Sequence, residues 1–327
     1  MKFLKKISSV LLRIGISIAL LVFLFRQVDR KSLFEIIKNA DKPMLLLSFF
    51  VYFLTYVLCL LRWEMLLKAV KIHLPLRRVI ISYAGGVFFS LFLPSTIGGD
   101  VMRSIDLAAH TKKTKEVLAT VFLDRLSGYV GLALLALISV IIGWKHVSST
   151  HSVLLAVFVI VSVLVVILLI LFNRFFYARI NNLLHSPNAG KIRDLLKNVH
   201  QEIHYFRNKE KTIAGNLIFS LLIQIVAPLS FYTIALSLGV KINVIYFLIF
   251  LPIIGAITML PISIGGLGLR DATTIFFFTK VGMSKDLAFA MSLLNFSFIL
   301  FIGAVGGIIY VLTIRHRRIQ HHQAHPV

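Results

Sequence analysis

Leu93-Pro94-Ser95-Thr96-Ile97-Gly98-Gly99-Asp100-Val101-Met102-Arg103 and Leu260-Pro261-Ile262-Ser263-Ile264-Gly265-Gly266-Leu267-Gly268-Leu269-Arg270 are near copies of each other, about half the chain apart. They share Leu, Pro, Ile, both glycines and the Arg at identical spacing; Thr96/Ser263 and Met102/Leu269 are similar. Each copy ends an apolar stretch at Pro and Gly-Gly, then carries a guanidinium in the first turns of a second short helical stretch. In the second copy Gly265, Gly266 and Gly268 permit positive φ and close backbone approach. Broken apolar segments paired at corresponding positions of two halves point to a transporter-type binding site.

The surrounding sequence belongs in a membrane. Of 327 residues 58% are hydrophobic and only 15% charged, and the mean hydropathy is +0.90. A soluble globule could not bury that much apolar surface. Runs long enough to cross a bilayer, about 20 residues, fall at 7–25, 43–61, 117–143, 152–172, 212–238 and 288–312. The first follows Met1-Lys2-Phe3-Leu4-Lys5-Lys6, yet no small-residue cleavage site succeeds it, so it reads as a retained span rather than a signal peptide.

The basic residues arrange these runs. With a cytoplasmic amino terminus, segments 1–6, 62–78, 101–116, 173–211 and 313–327 hold 23 Lys and Arg against 9 in the external segments. That bias satisfies the positive-inside rule only if segment 79–109 enters and leaves on the cytoplasmic side and segment 243–279 on the outside. Each half then reads span, span, re-entrant hairpin, span. Three crossings being odd, the second half is inverted relative to the first. The expected architecture is an all-α polytopic membrane protein, six spanning helices plus two re-entrant broken hairpins in an inverted repeat, built as one membrane domain over 1–327 with halves 1–150 and 151–327.

Between the first two spans of each half lies an amphipathic stretch. Leu33, Phe34, Ile36 and Ile37 alternate with Lys31, Glu35 and Lys38, and Ile192, Leu195, Leu196, Val199, Ile203 and Phe206 recur at helical spacing among Lys191, Arg193, Lys197 and Arg207. Both read as helices in the membrane interface; for 31–40 a solvated loop helix is the alternative.

The net charge of +22 does not point to nucleic acid. The basic residues occupy short loops and tails without interleaved aromatics, which suits topology and attraction to anionic headgroups. The tail from Arg315 to His325 reads as a solvated basic end rather than a metal site. Cys59 is the one cysteine and falls in a span, so no intramolecular disulfide forms. No cofactor or metal is expected.

Ionisable residues within apolar stretches are the candidates for function, since a charge in hydrocarbon needs a cavity or a partner. Asp100 and Arg103 follow Gly98-Gly99. They fit either a capping carboxylate with a helical ion pair or an Arg facing an anion at a helix amino terminus. Arg270 and Asp271 follow Gly265, Gly266 and Gly268 in the same way. Asp124 and Arg125 are adjacent and point about 100° apart on a helix, so each needs another partner, with Arg103 the candidate for Asp124; snorkelling to the interface is the alternative. Arg62-Trp63-Glu64 reads as a membrane-interface anchor.

Together Leu93-Pro94 through Gly98-Gly99-Asp100-Val101-Met102-Arg103, Asp124-Arg125 with Gly128, and Pro261 through Gly265-Gly266-Leu267-Gly268-Leu269-Arg270-Asp271 resemble the transmembrane region of lysylphosphatidylglycerol synthases, a flippase-like family that also occurs as stand-alone proteins. The resemblance covers nearly the whole chain. Full-length synthases attach an aminoacyl group to a phospholipid headgroup with a cytosolic transferase domain, and their membrane part is associated with moving lipid between leaflets. Asp100 stands where the family pattern has Glu, which keeps the charge. The longest soluble segment, 173–211, is too short for a transferase domain, and the sequence holds no Walker, HExxH or CxxC motif.

The expected protein is therefore not an enzyme. It resides in the plasma membrane with both termini cytoplasmic, binds the anionic headgroup of a membrane phospholipid or polyprenyl-phosphate lipid, and passes it across the bilayer without ATP. Arg103 and Arg270 are expected to hold the phosphate with N–H groups after Gly98-Gly99 and Gly265-Gly266. Asp100, Asp124, Arg125 and Asp271 are expected to orient them. The alternatives are a membrane subunit serving a separately encoded transferase, and a structural membrane partner.

Overall fold

The computed structural model describes residues 2–93, 98–147, 150–172, 206, 209–260, 262–263 and 265–324, with helical backbone alone for 2–11, 170–172 and 314–324. Every regular element among them is a helix. These are α1 (Lys2–Gln27), α2 (Arg30–Lys38), α3 (Lys42–Ala69), α4 (Leu76–Phe92), α5 (Gly98–Thr111), α6 (Thr114–Ile142), the single turn α7 (Trp144–Val147) and α8 (His151–Phe172). After segment 173–205, α9 (Glu210–Ser237), α10 (Val244–Thr258), α11 (Leu269–Thr279) and α12 (Lys285–Ala324) follow.

Five helices, α3, α6, α8, α9 and α12, are long and apolar enough to cross a membrane. The sixth expected span falls on α1, whose 26 residues reach about 39 Å at 1.5 Å per residue. The protein is thus an all-α, multi-pass membrane protein. Helix ends follow local chemistry: Asp29 caps α2 by accepting from the Lys31 amide at 3.0 Å, and Asp41 caps α3 by accepting from the Met44 amide at 3.0 Å. The expected amphipathic helix at 31–40 forms as α2, with Leu33 buried and Phe34 exposed. Its counterpart at 192–205 lies outside the described residues. Two ends run past expectation: α3 continues beyond 61 to Ala69, and α12 continues beyond 312 through the basic stretch to Ala324, since neither Pro nor Gly interrupts 308–325.

Both broken segments form antiparallel helical hairpins. In the first, α4 lies against α5 so closely that the Gly86 and Gly99 backbones touch; a Cβ on Gly86 would come 2.9 Å from the Gly99 carbonyl oxygen. In the second, Phe247 and Phe250 of α10 pack on Phe278 of α11, with ring centroids 4.7 and 5.4 Å apart.

The hairpins open at opposite ends of α6. The first begins and ends beside the α6 amino terminus, where Lys113 Nζ donates to the Lys71 carbonyl at 3.2 Å. The second opens at the other end, where the His146 and Tyr246 rings are 5.5 Å apart and Lys280 Nζ donates to Ser152 Oγ at 2.9 Å. Ser32 Oγ also donates to Asp286 Oδ2 at 3.1 Å, and the Asp41 amide donates to the Ser237 carbonyl at 2.8 Å. Loops that the Lys/Arg distribution assigns to one face of the membrane therefore meet one another. The hairpins also exchange partners: α4 packs on α12, and α10 packs on α6.

Candidate functional site

Asp124, on α6 and 5% exposed, stands between two arginines. Arg62 Nε of α3 donates to its Oδ1 and Arg103 Nη2 of α5 donates to its Oδ2, both at 2.7 Å. The same Arg103 nitrogen lies 2.9 Å from Asp100 Oδ1, and Asp100 Oδ2 in turn accepts from Arg125 Nε. Arg62 Nη1 continues the chain to Ser220 Oγ of α9 at 2.8 Å. Four helices from both halves of the sequence are thereby tied through one charged network.

Its location follows from local packing. Adjacent Asp124 and Arg125 diverge around α6, so Asp124 meets Arg103 and Arg62 while Arg125 reaches Asp100. The Gly86–Gly99 contact brings α5 close enough to α4 for Arg103 to lie beside Tyr83, its guanidinium carbon 5.4 Å from that ring and 4.6 Å from the Trp63 ring. Both rings present π faces to the cation, which offsets part of its desolvation. Trp63 is held by donating from Nε1 to Thr120 Oγ1 at 3.2 Å.

The network lines a cavity of about 320 Å³. Gly99 from the tip of the first hairpin and Met259, the C-cap of α10 at the tip of the second, both border it. Three guanidinium groups face two carboxylates, leaving one positive charge in excess. Arg103 is 4% exposed, yet its Nε and Nη1 are buried without a hydrogen-bond partner. Leaving buried donors unsatisfied is costly, and a guanidinium edge presented to a cavity with surplus positive charge suits a phosphate or carboxylate.

Of the residues expected at the site, Gly99, Asp100, Arg103, Asp124 and Arg125 line this cavity. Gly98 packs on Leu93. The two glycine pairs serve different backbones. Gly98 and Gly99 are helical, and what Gly99 supplies is close helix approach. Gly265, Gly266 and Gly268 do have positive φ, at 57°, 76° and 76°, in the turn that leads into α11.

Arg270 is not among the cavity's lining residues. Its side chain is 11% exposed, its guanidinium carbon is 5.1 Å from the Phe296 ring, and its Nε and Nη2 are buried without a hydrogen-bond partner. Asp271 is committed elsewhere, accepting from the Gly268 amide at 3.0 Å and from Ser292 Oγ at 2.5 Å, and stands 3.5 Å from Arg270. At the spacing of the repeat Asp124 corresponds to Met291 and Asp100 to Leu267, so the second half lacks the carboxylates that neutralise Arg103 in the first.

The reading of Arg62-Trp63-Glu64 as an interface anchor is corrected for Arg62 and Trp63, which are 6% and 0% exposed and belong to the site; Glu64 pairs with Lys68 at 2.8 Å. The signal for Arg62 was the lone acid on a facing span, Asp124, since two opposite charges in hydrocarbon seek each other. No group of three or more potential metal ligands occurs among the described residues; the side chains of the His-rich tail lie outside them.

The fold and site define a multi-pass membrane protein with a buried, net-positive polar cavity where two hairpin tips meet. Residues 10–307 match the family described as "Lysylphosphatidylglycerol synthase TM region", and the chain belongs to that family. Its relatives include a UPF0104 membrane protein of Pyrococcus horikoshii, 22% identical over 87% of this chain and 90% of that one. Another is a UPF0104 membrane protein of Methanothermobacter thermautotrophicus, 22% identical over 80% of this chain and 82% of its own length.

Proposed function

We propose that the protein binds the phosphate of an anionic membrane lipid, a phospholipid or polyprenyl-phosphate, in the Arg103 cavity and passes the headgroup between leaflets without ATP or a cofactor. The observation that carries this reading is the pair of buried, unpartnered Arg103 nitrogens in a cavity with one excess positive charge. Arg125, 28% exposed at its side chain, receives the headgroup with Arg103. Arg270, whose carboxylate neighbour Asp271 lies 3.5 Å away and is also hydrogen-bonded to the Gly268 amide and Ser292, is the second station. Asp100 and Asp124 hold the arginines in place, and Asp271 orders the turn that carries Arg270.

In this reading the halves 1–150 and 151–327 form an inverted pair within one membrane domain. The protein lies in the plasma membrane with both termini in the cytoplasm, and it performs no chemistry on the lipid. The opposite opening of the two hairpins and the surplus of Lys and Arg on one face support that arrangement.

Reconstitution tests it. Leaflet transfer of anionic phospholipid in proteoliposomes should fall in Arg103→Lys and in Arg270→Lys, because a point-like ammonium keeps the charge but not the bidentate fork. Wild-type transfer in both variants would remove the two residues from the site. The family's description favours one second reading, a membrane subunit presenting lipid to a separately encoded aminoacyl transferase. Transfer that appears only when such an enzyme is present would select it.

A further inference from the structure

An apolar groove adjoins the polar cavity. A groove of about 540 Å³ runs between α6, α8 and α10, and Tyr129 and Met259 belong to its wall and to that of the polar cavity alike. Apart from those two, its wall is built from residues such as Leu132 of α6, Val163 of α8 and Ala256 of α10. On the α8 side it is open: Leu155, Val159 and Val163 are 64%, 49% and 54% exposed. A larger groove between α6, α8 and α9 shares no wall residue with the polar cavity.

We infer that the α6–α8–α10 groove is a hydrocarbon-chain site, holding one chain of the same lipid whose phosphate contacts Arg103, with Tyr129 and Met259 at the junction of head and tail. This rests on the headgroup reading above and adds to it the place where a chain of that lipid is held. Three features carry it. The groove is apolar and adjoins a cationic cavity across the shared Tyr129 and Met259, so the pair of sites is amphipathic in the sense of a lipid. It opens beside α8, where a chain can remain in contact with the bilayer while its headgroup is inside the protein. The shared wall combines a tyrosine, whose ring has an apolar body and a polar tip, with a methionine, whose unbranched thioether adapts its shape.

A chain moving from bilayer to groove exchanges one apolar surrounding for another, so burial supplies little affinity and packing decides occupancy. Filling the groove is then the sensitive perturbation. The assay uses Val163→Phe and Ala256→Phe, from opposite walls, in a Trp144→Phe background that leaves Trp63 as the sole indole. Val166→Phe is the control, since Val166 is 53% exposed on the same helix and lines neither groove. Two quantities are measured: anionic lipid retained per protein after detergent washing, by mass spectrometry, and the change in Trp63 emission on titration with glycerol phosphate, which has a headgroup but no chain.

Retained lipid should drop roughly tenfold in both groove variants, with Val166→Phe unchanged and the glycerol phosphate response preserved in all three. Wild-type retention in Val163→Phe, whose exposed position leaves the fold intact, overturns the chain site while a preserved glycerol phosphate response leaves the headgroup reading standing. Absence of any Trp63 response in the parent protein, if Arg103→Lys also transfers lipid normally, removes the headgroup reading and the chain site with it.

Discussion

Asp124 is the residue on which the charged network turns, because it is the one carboxylate shared by Arg62 and Arg103. Burying such ions is expensive, and a cluster of this kind is weak evidence for stability in itself. Its fragility is more informative. Asp124→Asn removes the charge that offsets two buried guanidinium groups and should destabilise the protein by about 3–5 kcal/mol, read as a lower unfolding temperature in detergent. Arg125→Gln, at the more exposed end of the network, should cost markedly less. Equal losses in both would mean that burial does not grade the network as the distances indicate. Arg103 differs from a merely structural arginine in that part of its hydrogen-bonding capacity is unspent, and that capacity is what a ligand can use.

At the level of elements, the hairpin of α4 and α5 owes its closeness to glycines rather than to side-chain interdigitation. A Cβ on Gly99 would collide with the Gly86 carbonyl oxygen, backbone against backbone, with no side chain free to move aside. Gly99→Ala should therefore force the hairpin arms apart, costing about 1–3 kcal/mol or more, and should displace Arg103 from Asp124. Gly15→Ala meets nothing within 4 Å and should change stability by less than about 1 kcal/mol. Comparing the thermal melts of these two variants checks the assignment. The second hairpin is built by another means, positive-φ glycines in its turn and tilted and edge-on phenylalanines along its arms, so equivalent sequence in the two repeats meets different local demands.

Over the whole molecule, the two ends of the helical bundle can be assigned to membrane faces by charge. With Cys59→Ser as background, Lys113→Cys should react with an impermeant thiol reagent only from the cytoplasmic side. Lys145→Cys and Lys280→Cys should react only from outside. The contacts of Lys113 with Lys71 and of Lys280 with Ser152 make these residues reporters for their whole ends of the bundle. Labelling of Lys113→Cys from outside would reverse the orientation, and labelling of Lys113→Cys and Lys280→Cys from one and the same side would contradict the opposed hairpins.

Sequence alone determined the membrane, the helices, the two hairpins and their opposite openings. These follow from quantities that accumulate along the chain: apolar runs of bilayer length, Pro and Gly-Gly interruptions, and the distribution of Lys and Arg across loops. It also marked Arg103, Asp100 and Asp124, since charges within apolar runs are conspicuous and the diverging neighbours Asp124 and Arg125 each demand a partner elsewhere. Only the tertiary structure drew in Arg62 and Trp63, whose place at the end of an apolar span reads as an interface anchor unless Arg62 is matched with Asp124. Only it separated Arg270 from the cavity around Arg103, although the repeat made the two look equivalent. The reason is that a repeat specifies backbone breaks locally, whereas the countercharges of a buried ion come from other helices, and Met291 and Leu267 stand where the second half would need its carboxylates.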